Sequence, residues 1–226
     1  PRPSASAQHA LIPASEAQVP KAVAEYGAHR PDDARRAFDA TLSALGSEYV
    51  DLFLIHWPLP EVGDYVQTWK ALEKAYADGK ARAIGVSNFQ QAHLQRLFDE
   101  TDVVPAVNQI EVHPLFPQQE MLQVDADLGI LTQAWSPMGK RSAPFEAEPV
   151  AAAAKAHDVS PGQVILRWHL QRGVMPLPKS GTPSRQADNL DVFGFELSQQ
   201  EVDAISALGR PDGRLFGGDP DTHDEQ

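Results

Sequence analysis

No cysteine occurs among the 226 residues, so disulfide bonds and thiolate chemistry are both closed to this chain, and a reducing cytoplasm is the simplest compartment. Basic residues are also scarce: 19 against 31 acidic ones leave a formal net charge of −12. That charge opposes nonspecific attraction to nucleic acid or to an anionic membrane surface, so neither is expected as a partner. An anionic ligand would have to be held by local groups. Long apolar runs are missing too, since no stretch approaches the roughly 20 residues that a membrane helix needs. The opening PRPSASAQHALIPASEAQVP lacks the basic start and apolar centre of a signal peptide. There is no G-x-G-x-x-G, so a Rossmann fingerprint is not the route to a dinucleotide here. The histidines show no H-x-x-x-H or comparable ligand spacing, and no metal site is expected.

What remains is ordinary globular composition, 42% hydrophobic and 22% charged. From residue 30 onward one alternation recurs. PDDARRAFDATLSALG reads as a helix, with acids at its start and Ala34, Phe38, Leu42 and Leu45 at helical spacing. YVDLFLIHW follows as a strand. VQTWKALEKAYADG, closed by Gly79, leads to the strand ARAIGVSNF, AHLQRLFDE to PAVNQIEV, and QQEMLQVDADLG to ILTQAWSP. EPVAAAAKAHD and SPGQVILRWHLQRG are helical, VMPLPKS is a strand, and SRQADNLDVF and SQQEVDAISALG are helices. Strands alternating with helices imply a parallel sheet with right-handed crossovers. Five strands are expected, near residues 50, 82, 106, 130 and 175. Residues 1–29, rich in Pro, Ala and Ser, read as an irregular or disordered leader, and 30–226 as the folded portion ending in a loop. Eight strands close a (β/α)8 barrel, and a leader this short holds at most one βα repeat of about 30 residues. The expected fold is therefore α/β: an incomplete TIM-type barrel or an open sheet.

DLFLIHWPLP places a titratable imidazole where an otherwise buried strand stops. In a parallel barrel that edge is the catalytic face, because the βα loops converge there. Polar groups end all five strands: IHWP, GVSNF, NQIEVHP, AWSPMG and LPKSGTPSR. In order, wording and position these segments resemble the aldo-keto reductase family from about residue 30 to 220, and within it the bacterial proteins similar to 2,5-diketo-gluconate reductases. The resemblance implies an NADPH-dependent oxidoreductase that reduces aldehydes or ketones of small-molecule substrates, expected as a monomer. It also implies roles. His56 matches the histidine that orients and polarises the substrate carbonyl. Ser87, Asn88 and Gln109 match the residues that hydrogen-bond the nicotinamide carboxamide, and Trp135 the aromatic on which the ring stacks. Ser136, Met138 and Gly139 match the loop beside the pyrophosphate. Lys179, Ser180, Thr182, Arg185 and Asn189 match the segment holding the adenosine end with its 2′-phosphate.

Independent readings stand beside these. KSGTPSR leads a helix whose N-terminus offers free N–H groups and a positive dipole end to a phosphate. Ser87 and Asn88 could cap the following helix, Gln109 could be a buried hydrogen-bonding group, and Trp135 taken alone could be core. His113, before Pro114 in a turn, reads as structural, and DPDTHDE as a solvated tail. The family's chemistry also uses a tyrosine acid tuned by a lysine paired with an aspartate. That aspartate and tyrosine find no match here. Lys21 is the candidate for the lysine, whereas Tyr26 in AEYG lies too close to His56 for the family order. Without its general acid a reductase loses roughly 10²–10⁴-fold, so two alternatives stand: a noncatalytic NADP-binding protein, or a truncated inactive product.

Overall fold

The structure, a computed structural model, describes residues 31–140 and 143–223. Helix α1 (Pro31–Leu45) carries Asp32 and Asp33 in its first turn, where the dipole favours negative charge. It buries Ala34, Phe38 and Leu42 along one face. Phe38 meets Phe53 edge-on, with ring centroids 4.9 Å apart. Then β1 (Phe53–Ile55), α2 (Tyr65–Ala77), β2 (Ile84–Ser87), α3 (Gln91–Glu100), β3 (Val107–Glu111), α4 (Gln119–Leu128) and β4 (Leu131–Trp135) alternate without interruption. The chain continues through α5 (Ala143–Glu146), α6 (Glu148–His157), α7 (Pro161–Gln171), β5 (Met175–Pro176), α8 (Pro183–Leu190) and α9 (Gln199–Ser206).

The five strands form one sheet in the order β1-β2-β3-β4-β5, every neighbouring pair parallel. A doubly wound sheet would reverse its strand order at a switch point. Consecutive order is that of a barrel wall, and the chain has the parallel TIM-type architecture expected from its sequence. Register lines up Ser87, Gln109, Gln133 and Met175 in a single row across four strands. Trp69, Phe89, Ile110, Ile165 and Trp168 are among the largest fully buried side chains of the core beneath the helices. Gly79 leaves α2 at φ +72°, the left-handed conformation that ends a helix cheaply only at glycine.

Three expectations change. Helix α8 stops at Leu190 and not at residue 193, because Asp191 leaves the helix at ψ +64°. The short α5 was not foreseen. The acidic C-terminal run is not simply solvated: Pro220 is buried, Asp221 lies 3.4 Å from His93, and the His223 ring stacks on Trp57 at 4.0 Å. Among the described residues no helix is long and apolar enough to cross a membrane.

Candidate active site

Each of the loops following β1 to β4 holds one non-glycine residue in the left-handed region: Leu59 at φ 41°, Asn88 at 63°, Gln118 at 52° and Ser136 at 49°. Asp158, between α6 and α7, is the one other case among the described residues. For Leu59, Gln118 and Ser136 this conformation costs about 1–2 kcal/mol each, and less for Asn88, a residue type that visits this region readily. Strain gathered at one rim marks the face where geometry is being dictated.

Asn88 is the tie of that rim. Its Nδ2 donates to the His56 carbonyl (3.0 Å) and to Ser87 Oγ (3.2 Å), while its Oδ1 accepts the Trp135 indole N–H (2.8 Å). One side chain thus spans the ends of β1, β2 and β4. Ser87 Oγ donates to the Gln109 carbonyl at 2.6 Å, and Gln109 Nε2 donates to Gln133 Oε1 at 3.1 Å. Gln133 in turn reaches Met175 Sδ at 3.5 Å. A primary amide has two donors and two acceptor lone pairs. Among the described residues Gln109, half-buried, makes no other side-chain hydrogen bond, which leaves one amide N–H and the side-chain oxygen, the complementary edge of a carboxamide. Ser87 and Asn88 do not cap α3. The N-cap is Gln90, whose backbone N–H donates to His93 Nδ1 at 3.1 Å.

The loop after β4 is fixed from behind. Gly139 N–H donates to the Ser136 carbonyl (2.9 Å), and buried His169 bonds the Pro137 carbonyl through Nε2 (2.9 Å). Burial pushes His169 down to about 3, so it stays neutral while donating that bond. At φ +65° with Pro144 Cγ only 2.8 Å from where a Cβ would stand, position 139 favours glycine. Met138 and Ser136 are half-buried beside it.

Lys179 and Arg185 are exposed at the start of α8, and neither makes an ion pair or hydrogen bond among the described residues. Thr182 occupies the N-cap without a side-chain cap bond, although Ser180 Oγ accepts its N–H at 3.2 Å. Asn189 lies one helical turn beyond Arg185, at i+4. In a chain of charge −12, two unpaired cations at a helix N-terminus suit a phosphate.

A sequence profile of the Aldo/keto reductase family matches residues 21–210. The chain belongs to the aldo-keto reductase family. An aldo-keto reductase of Mycolicibacterium smegmatis is 51% identical over 187 residues, covering 82% of this chain and 66% of that protein. The 2,5-diketo-D-gluconic acid reductase B of a Corynebacterium species is 47% identical over 197 residues, covering 87% and 70%. Among solved structures, a variant of Gox0644 in complex with NADPH superposes with a TM-score of 0.84 at 43% identity, over 88% of this chain and 73% of that one. The chain thus spans about two thirds of the length of the first of these relatives. The family carries with it the class of chemistry, NADP-dependent oxidoreduction.

Against the aldo-keto reductase pattern, the structure brings His56, Ser87, Asn88, Gln109 and Trp135 together at one rim. It sets the 136–139 loop beside them, and Lys179 to Asn189 beyond β5. Lys21 and Tyr26 lie outside the described residues. His113 is fully buried with Nε2 3.0 Å from Glu111 Oε1, in keeping with a structural role. No three metal-ligating side chains gather among the described residues. Three residues were missed. Gln133 was signalled only by its register with Gln109. Phe216, whose ring stacks on Trp135 at 6.2 Å, carried no signal. Glu111 looked like part of a strand.

Proposed function

We propose that this chain is an NADPH-dependent reductase that converts aldehydes and ketones to alcohols. The observation that carries the reading is the Asn88 bridge, which locks the His56 backbone and the Trp135 indole into one frame beside the free amide edge of Gln109. The cofactor, when bound, supplies hydride. Ser87, Asn88 and Gln109 orient the nicotinamide carboxamide, and Trp135 offers its ring face. Ser136, Met138 and Gly139 follow the pyrophosphate, and Lys179, Ser180, Thr182, Arg185 and Asn189 hold the 2′-phosphate end. His56, half-buried at the tip of β1, directs a ring N–H at the carbonyl oxygen and is the group placed to give the alkoxide its proton, since the family's tyrosine finds no match here; Lys21 is the candidate for the family's lysine. The chain is taken to act as a cytoplasmic monomer on small carbonyl compounds, without nucleic acid or membrane partners. Its acidity and lack of cysteine support this.

Charge-assisted hydrogen bonds are worth roughly 1.5–3 kcal/mol each. At these exposed positions solvent screening cuts this to under about 1 kcal/mol each, so Lys179 and Arg185 together should make NADPH bind about tenfold more tightly than NADH. Arg185→Ala should erase most of that difference in titration calorimetry. NADPH should be oxidised by a generic aldehyde, and His56→Ala should slow this by at least about 10²-fold. NADPH binding without any aldehyde reduction would leave a noncatalytic dinucleotide-binding protein in place of the enzyme.

A further inference from the structure

Glu111, the last residue of β3, is buried to 2% exposure, yet its carboxylate takes no part in the proposed chemistry. Its Oε1 receives two donors, His113 Nε2 at 3.0 Å and the Leu215 backbone N–H at 2.7 Å. The second bond comes from the segment after α9. That segment is fastened to the same loop by three further contacts: Arg210 N–H on the Leu115 carbonyl (3.1 Å), Gly213 pressed against Leu115, and the Arg214 guanidinium over the Phe116 ring (4.9 Å). The next residue, Phe216, is 60% exposed, but its ring stacks on Trp135 at 6.2 Å and 27°, with Lys140 Nζ 4.1 Å above it.

We propose that Glu111 is a positioning residue for the cofactor: by holding the Leu215 N–H it sets Phe216 against Trp135 and so builds the wall of the nicotinamide site. This rests on the reading of Trp135 as the nicotinamide platform. The carboxylate never touches the ligand. It acts through a backbone bond and an aromatic ring.

The test separates the two ends of the dinucleotide. NADPH and 2′,5′-ADP, which lacks the nicotinamide half, are titrated against the whole chain carrying Glu111→Leu, Glu111→Gln, Phe216→Ala, or Glu111→Leu with Phe216→Ala. Phe216→Ala and Glu111→Leu should each weaken NADPH about 3- to 10-fold, the scale of one aromatic contact, and leave 2′,5′-ADP within twofold. Glu111→Gln, which keeps an acceptor for the Leu215 N–H, should bind nearly as the unmutated chain does. The double variant should be no weaker than Phe216→Ala alone, because the two residues act in series. If Glu111→Leu does not fold, Phe216→Ala decides the matter on a residue at the surface. Unchanged NADPH affinity in Phe216→Ala, or additive losses in the double variant, would overturn the proposal. An unmutated chain that binds 2′,5′-ADP but not NADPH would overturn it through the platform itself, and one that binds neither would overturn the functional reading.

Discussion

Replacing Asn88 tests the frame on which the site depends, and the structure supplies the size of the effect. Asn88 is 4% exposed and sits at φ +63°. Asn88→Ala removes the partner of a part-buried carbonyl, that of His56, and of an indole N–H, that of Trp135. An unsatisfied buried polar group costs about 1–3 kcal/mol. Trp135 is only half-buried, and water can recover part of its share. A combined loss of about 2–4 kcal/mol follows from the bonds. The backbone adds its own term, since alanine in the left-handed region costs about 1 kcal/mol more than asparagine or glycine there. Asn88→Gly loses the same bonds without that strain. The expected order of stability in urea or guanidinium unfolding is therefore wild type, then Gly, then Ala, with Gly above Ala by about 1 kcal/mol. This inverts the usual preference for alanine over glycine. The Trp135 emission should also shift red as its N–H turns to solvent. An alanine variant as stable as the glycine one, or a total loss under about 1 kcal/mol, would refute the account of this residue.

Two further outcomes can be checked. Asp125 is fully buried between Asn108 and Thr132, and burial pushes its carboxyl from the ordinary 3.8 up to about 6, against the lowering effect of those two bonds. The folded state then binds more protons than the unfolded one, so this contribution is complete below about pH 4 and disappears by about pH 6, a change of about 3 kcal/mol. Asp125→Asn should gain on the wild type by that amount across the same window in denaturant melts, and a pH-independent difference would count against the buried acid. Gly213→Ala would bring a Cβ to 1.9 Å from the Leu115 carbonyl oxygen. It should speed amide exchange at Leu215 by at least tenfold while the sheet amides stay protected, and equal exchange in both proteins would rule out the tight passage there.

How far the sequence leads depends on what kind of bond does the work. The apolar run ending at His56 and the turns of α1 at Ala34, Phe38 and Leu42 are written as side-chain periodicity, and β1 and α1 fall where that periodicity puts them. The S-x-x-Q of Ser160 to Gln163 and the S-x-x-E of Ser198 to Glu201 both form the capping boxes that their spacing specifies. The rim motifs were legible because polar residues at strand ends have no packing reason to be there. By contrast, the start of α3 at Gln90 uses a histidine ring, which does not ordinarily cap a helix, as the acceptor for a backbone N–H. The fastening of residues 210–223 relies on a backbone N–H at Leu215, a close approach at Gly213 and a ring stack at His223. Backbone donors leave no trace in residue type, so a stretch rich in Gly, Pro and Asp reads as loop whether it is bound or free.

That fastening also bears on how the molecule comes together. Each strand pairs with its neighbour across a short span of chain, as in the 22-residue separation between Ser87 and Gln109, whereas Leu215 reaches Glu111 across 104 positions. The entropy of closing a loop rises only as the logarithm of its length, so the long closure costs little more in equilibrium stability. Its order in time is another matter, because contacts distant in sequence form after local ones have lowered the search. The sheet and its helices should therefore assemble first, leaving Trp57, His93 and Trp135 briefly uncovered, and the 210–223 segment should dock last. A segment that docks last is the first to open in native-state exchange. The rim then has a protection of its own, below that of the barrel wall, and a bound dinucleotide should raise it.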